Sequence, residues 1–178
     1  MVLKKNSKGQ VIVRTTRQLL REIERRIDLE GLECDLNYID TSRITDMSCL
    51  FYSSKFVGDI SKWDVSNVRN MRYMFYHSSF DGDLSGWNTG NVDDMTCMFM
   101  GSKFSGKGIS EWNVEKVESM EYLFFEDYNF SADLSKWEPL RLSETSCMFE
   151  RSGVRNPPDW FHVSEMFKRA SAEIFHHL

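Results

Sequence analysis

Four histidines, four cysteines and a recurrent serine are the side chains of this sequence best suited to chemistry, and their spacing decides what they can do. His77, His162, His176 and His177 do not form a His-Glu-x-x-His pattern, which would set two imidazoles on one helix face for zinc. His162 and His176 can meet in space, but a metal there is disfavoured. Cys34, Cys49, Cys97 and Cys147 show no Cys-x-x-Cys spacing, so neither a zinc site nor a dithiol redox pair is expected, and reduced thiols are the reading. Ser61, Ser85, Ser110 and Ser135 recur at one position of a repeat, and a residue used once per repeat is architectural before it is catalytic. There is no Gly-x-Ser-x-Gly and no glycine-rich phosphate loop; Gly101, Gly106 and Gly108 read as loop glycines. The expectation is a protein with no catalytic residues, no cofactor and no metal site, and not an enzyme.

The element that carries these residues is a unit of 24 to 25 residues. Trp63–Trp87 runs W-D-V-S-N-V-R-N-M-R-Y-M-F-Y-H-S-S-F-D-G-D-L-S-G-W, and the pattern restarts at Trp87, Trp112 and, imperfectly, Trp137; a degenerate first copy begins at Ile39. Self-similarity at such a period marks a stacked-repeat protein. Counting from the leading residue, apolar side chains fall at +5, +8, +11, +12 and near +17 and +21, as Val68, Met71, Met74, Phe75, Phe80 and Leu84 do. The last copy keeps Leu142, Met148 and Phe149 but has Thr145 at +8.

Positions three and four apart share a face of a helical turn, so +8, +11 and +12 predict a short α- or 3₁₀-type segment, with Asp46, Asn70, Asp94 and Ser119 as N-capping types before it. The Asp-Ile-Ser-Lys-Trp segment and its copies predict a short strand. About five such strands, stacked in parallel, would make a sheet on the order of 20 Å across. Offset +10 reads Cys49, Tyr73, Cys97, Tyr122, Cys147, which puts cysteines in alternate copies, beyond disulfide reach.

The flanks predict lids. Val11-Ile12-Val13 reads as a short strand or extended lead-in, and Thr15-Thr16-Arg17-Gln18 has the form of a capping box. Leu19, Leu20, Ile23 and Ile27 then recur at helical spacing to about Glu30, with Gly31 as the stop. After Pro157-Pro158-Asp159-Trp160, Ser164 can cap a last helix in which Met166, Phe167, Ala170, Ile174 and Leu178 share a face. The expected organisation is one domain over 1–178. An N-terminal helical cap at 1–32 and a C-terminal helical cap at 161–178 cover a repeat array at 33–160 whose ends would otherwise be bare.

With the unit laid out, the chain resembles the BspA-type leucine-rich-repeat proteins, whose repeat also occurs in mycoplasmal lipoproteins of otherwise unknown function. The residues that carry the resemblance are Ile60-Ser61-Lys62-Trp63-Asp64-Val65-Ser66-Asn67-Val68, Asn70-Met71, Met74-Phe75, Phe80 and Asp83-Leu84-Ser85, over a match of about 33–160. The resemblance implies an α/β repeat solenoid, leucine-rich-repeat-like, and an adhesion or interaction role, often at a cell surface. It also implies kinship with short unsecreted members of bacterial and phage genomes.

Composition and charge bound the partner. Hydrophobic residues at 41% and charged residues at 28% suit a soluble globular chain. The net charge is −5, and residues 1–27 hold eight Lys/Arg against Glu22 and Glu24, a balance of +6, which leaves −11 for residues 28–178. An acidic body makes direct nucleic-acid binding unexpected. No apolar run suggests a signal peptide or membrane span, so the expected location is cytoplasmic. The expected function is a non-catalytic protein-interaction module for an unidentified protein partner. Its candidate surface is the set that varies between copies: Lys62, Asp64, Arg69, Arg72, Asn88, Glu111, Asn113, Lys136 and Glu138. The alternatives are a phage-encoded intracellular inhibitor whose acidity occupies a basic nucleic-acid site, and a surface adhesin like the relatives.

Overall fold

The computed structural model describes residues 3–162. Three regular elements stand at its N-terminal end: β1 (Val11–Ile12), α1 (Thr16–Glu30) and β2 (Ile39–Asp40), with β1 parallel to β2 and Val11 opposite Ile39. α1 starts where the Thr-x-x-Gln motif predicts. The Thr15 Oγ1 accepts the Gln18 N–H at 3.2 Å. The Gln18 Oε1 does not return to Thr15 but accepts from the Arg14 N–H at 2.8 Å, so the capping box closes one residue early. Gly31, at φ 88°, ends the helix and donates its N–H to the Ile27 carbonyl at 2.8 Å. Leu19 and Ile23 are buried, and the Thr16 hydroxyl donates to the Asp46 carbonyl at 2.6 Å, which ties the helix to the first repeat.

The repeats depart from both local predictions. The Met-x-x-Met-Phe segments are not helical, and the Asp-x-Ser-x-Trp segments are turns, not strands. In the repeat led by Trp63, Met71, Tyr73, Phe75 and His77 donate their N–H groups to Asp94, Thr96, Met98 and Met100 of the next repeat at 2.8–3.0 Å. The alternate residues Met74, Tyr76 and Ser78 donate three residues back, to Met71, Tyr73 and Phe75, at 3.0–3.2 Å. The same division recurs from Met47, Met95 and Met120.

Left-handed backbone makes this alternation possible. Cys49, Tyr73, Cys97, Tyr122 and Cys147 have φ between 53° and 59°; four residues on, Ser53, His77, Gly101, Glu126 and Arg151 are also left-handed. A helix cannot pass through such a residue, so the segment trades intrasegment bonds for bonds between repeats. The parallel pairing lies at offset +7, where Asp46, Asn70, Asp94, Ser119 and Glu144 bridge in succession.

Side-chain oxygens turn each corner. Asn70 Oδ1 accepts the Arg72 N–H, Ser78 Oγ the Phe80 N–H and Asp83 Oδ1 the Ser85 N–H, at 2.9–3.2 Å, and most equivalent residues of the other repeats do the same, although Gly108 stands where Asp83 does. The residues read as helix caps and as a strand are therefore Asx- and Ser-turns.

Repeats stack ring on ring. Phe51, Phe75, Phe99, Phe124 and Phe149 form one column with centroids 5.4–5.9 Å apart. Trp87, Trp112, Trp137 and Trp160 form another at 6.2–6.5 Å. Each indole N–H donates to a carbonyl just before the preceding leading residue, as Trp112 Nε1 does to Leu84 at 3.1 Å. Trp160, placed by sequence at the end of the array, is one more rung: its Nε1 donates to Leu134 at 2.9 Å. The predicted helix over 164–178, with most of the expected cap at 161–178, lies outside the described residues.

Candidate partner-binding surface

All nine residues expected to specify a partner are exposed, and they fall into two groups. Lys62, Asp64, Asn88, Glu111, Asn113, Lys136 and Glu138 flank the tryptophan column. Arg69 and Arg72 stand at offsets +6 and +9, beside the parallel bridges.

Much of the first group is committed to the backbone. Asp64 Oδ1 accepts the Ser66 N–H at 3.0 Å, Asn88 Oδ1 the Gly90 N–H at 3.2 Å and Asn113 Oδ1 the Glu115 N–H at 3.0 Å. The choice of Asp or Asn there reflects an Asx-turn, which needs a short side-chain oxygen. Lys136 pairs with Glu111 on the neighbouring repeat, and the Glu111 carboxylate raises the ammonium's pKa. The arginines also look inward. Arg72 Nη1 lies 3.3 Å from Asp94 Oδ2, and Arg69 Nη1 lies 3.9 Å from Asp93 Oδ2. Asp94 raises the Arg72 pKa, while burial pushes the Asp93 carboxyl up. Such half-exposed pairs contribute little to stability.

The sequence reading overlooked a second surface. At offset +13 stand Tyr52, Tyr76, Met100, Phe125 and Glu150, beside the left-handed residues. Tyr52, half exposed, stacks on Tyr76 at 4.7 Å; Tyr76 meets Tyr73 at 5.8 Å and His77 at 4.4 Å, both edge-on. Farther along, Phe125 meets Tyr122 at 5.4 Å, and the Arg151 guanidinium sits 5.8 Å from the Phe125 ring. Offset +13 attracts little notice in a search for recurring letters because, after Tyr52 and Tyr76, its letters change with every repeat. The available signal was that four of its five residues are aromatic or methionine at a place outside the core set.

Cys49, Cys97 and Cys147 stand beside this face, whereas Cys34 lies in the core. All four cysteines are free, and burial pushes Cys34, Cys49 and Cys97 above the ordinary thiol range. The charge of the Cys97 thiolate, with hydrogen bonding to it, raises the pKa of Tyr73, and hydrogen bonding to Cys147 raises that of Tyr122. The recurrent serines take part in turns: the N–H groups of Ser61, Ser85 and Ser135 donate to Asp59, Asp83 and Asp133 at 2.8–2.9 Å. Among the described residues no three His, Cys, Asp or Glu are grouped to hold a metal ion, and no helix is long and apolar enough to cross a membrane.

A family model described as "Mycoplasma protein of unknown function, DUF285" matches the chain over residues 23–107 and 100–173. No curated protein and no solved structure matches it.

Proposed function

The chain belongs to the family described as Mycoplasma protein of unknown function, DUF285, and we propose that it is a non-catalytic protein-interaction module, a leucine-rich-repeat-like solenoid of the BspA type. The observation that carries this reading is the row at offset +13, where side chains vary along the stack on a backbone held in register by the alternate inter-repeat hydrogen bonds of each Met-led segment. Tyrosine, phenylalanine, methionine and arginine are the residues that concentrate in the energetic centres of protein interfaces. Rings already stacked on each other lose little freedom when a partner covers them. The tryptophan-flanking group supplies the rim: Lys62, Glu111, Lys136 and Glu138 are exposed charges, while Asp64, Asn88 and Asn113 are spent on turns.

The test is capture from the source cell with the full chain as bait, comparing wild type with Tyr76→Ser/Phe125→Ser and with Lys62→Ser/Lys136→Ser. A partner held by wild type and by the lysine variant, but lost by the aromatic variant, supports the reading. Equal recovery by all three baits would sink it.

The charge distribution favours a second reading, an inhibitor that covers a basic nucleic-acid site. Its basis is the −11 body and the clustering of Asp93 with Asp94 and Glu118, whose charges add to burial in raising the Asp93 pKa. Affinity of that kind falls steeply with salt, whereas aromatic anchoring does not. The adhesin role of the relatives is a third possibility, and it calls for the same surface in another place.

A further inference from the structure

The positive charge of residues 1–27 is gathered in part into one cleft. Residues Lys4 to Ile12 fold back on themselves, with Ile12 N–H donating to the Lys4 carbonyl at 2.8 Å and Lys5 bridging Val11 antiparallel. This hairpin is one wall, and α1 is the other. Between them lies an open cleft of about 770 Å³, a volume in the range of small-molecule sites. Leu3 and Val11 line it from the hairpin side, together with Lys5. From the helix side come Arg17, Arg21 and Arg25, four residues apart and so on one face.

Three arginines in such a row repel each other, and among the described residues only Arg25 of the three meets a carboxylate. Arg25 makes a two-pronged contact with Glu22, Nη2 to Oε1 at 2.6 Å and Nε to Oε2 at 3.0 Å. The Tyr38 hydroxyl donates to the same carboxylate at 2.9 Å. The Arg25 contact holds the Glu22 carboxyl below its ordinary range, and burial with that hydrogen bond lifts the Tyr38 hydroxyl to about 12. Glu22 is therefore committed. Among the described residues no carboxylate pairs with Lys5, Arg17 or Arg21, whereas Arg26, Arg69, Arg72 and Arg151 each meet one.

We propose that this cleft binds an amphiphilic anion, a phosphate or carboxylate head on a hydrocarbon body. Arg17 and Arg21 hold the head from the helix and Lys5 from the hairpin, since guanidinium groups match the oxygens of both anions. Leu3 and Val11 receive the body. The apolar wall separates this ligand from a bare ion, and the three cations exclude a neutral or cationic amphiphile. The site is independent of the aromatic row, so either proposal can fail alone.

The experiment is calorimetric titration of the full chain with dodecyl phosphate below its micelle concentration. Parallel titrations use inorganic phosphate, dodecyltrimethylammonium and phosphatidylglycerol vesicles. Arg17→Gln/Arg21→Gln removes two exposed, mutually repelling charges and leaves the packed face of α1 intact; Lys5→Gln tests the opposite wall without touching the helix. The expected result is one dodecyl phosphate per chain, bound at least about tenfold more weakly by the double variant and by Lys5→Gln to a smaller degree. Inorganic phosphate is expected to be at least about tenfold weaker, and the cationic detergent silent. Dodecyl phosphate affinity unchanged in both variants, inorganic phosphate as tight as dodecyl phosphate, or equal binding of the cationic detergent overturns the proposal. So does binding to vesicles without binding to monomeric dodecyl phosphate, because that outcome assigns the charges to a membrane surface and not to the cleft.

Discussion

Asp127 illustrates how one residue can depart from a repeat that otherwise tolerates little change. At its offset the other repeats use serine, and Ser54, Ser78, Ser102 and Ser152 each accept an N–H two residues on. Asp127 keeps that bond, from Asn129 at 3.3 Å, and takes another from the Ser102 hydroxyl at 2.7 Å. Its side chain is wholly buried, and burial pushes the carboxyl up to about 7. Below pH 4 the group is protonated in both the folded and unfolded chain. Between about 4 and 7 the unfolded chain loses this proton while the folded chain retains it, so this group's contribution to stability falls as pH rises, then levels off. Asp127→Asn removes the titrating proton and can keep the bond from the Asn129 N–H, while the contact with Ser102 reverses, the amide NH2 donating to the hydroxyl oxygen. The variant should gain on wild type by up to roughly 4 kcal/mol between pH 4 and pH 7, read from melting temperatures over that range. Parallel profiles for the two proteins would show that the carboxyl titrates normally.

At the scale of the element, the repeat is a run of turns that periodicity mistakes for a helix. Both backbones bury positions +8, +11 and +12, so Met71, Met74 and Phe75 carry no sign of which one is used. Tyr73 decides it: at φ 56° it redirects the chain, and neither tyrosine nor cysteine announces a left-handed position as glycine does. The Asx-turns misled in the same way, since an oxygen that caps a helix also closes a turn. Ser53, exposed at φ 51°, isolates the cost of this backbone. Ser53→Gly should raise stability by about 0.5–1 kcal/mol, as the relief of left-handed strain outweighs glycine's added freedom in the unfolded chain. Ser53→Val should lower it by more than about 1 kcal/mol, because a β-branched side chain fits that conformation worst. Urea midpoints for the two variants that moved together would contradict this account.

Over the whole molecule, stability should depend on how many neighbours a repeat has. Phe99 lies between Phe75 and Phe124, and it also meets Phe104 at 4.3 Å and Trp112 at 6.4 Å. Phe149 stacks on Phe124 and meets Phe161 edge-on at 5.0 Å. Phe99→Ala should cost about 3–5 kcal/mol, and Phe149→Ala clearly less, because a stack is held by its nearest-neighbour junctions. Denaturant titration of both variants checks the ranking, and equal losses would argue against junction-by-junction stability.

What could be read from the letters was the period, the core positions and the start of α1 at Thr15. Recurrence exposes burial, because a side chain that must fit between two copies of itself can change little. Three features needed the chain in space. The direction of the N–H groups at Met71, Tyr73, Phe75 and His77 depends on a sign of φ that no residue type there reveals. The row from Tyr52 to Phe125 keeps no single letter through the repeats and becomes a surface only when repeats stack. The cleft joins Lys5 to Arg17 and Arg21 through a hairpin fold, and sequence distance alone does not express that contact.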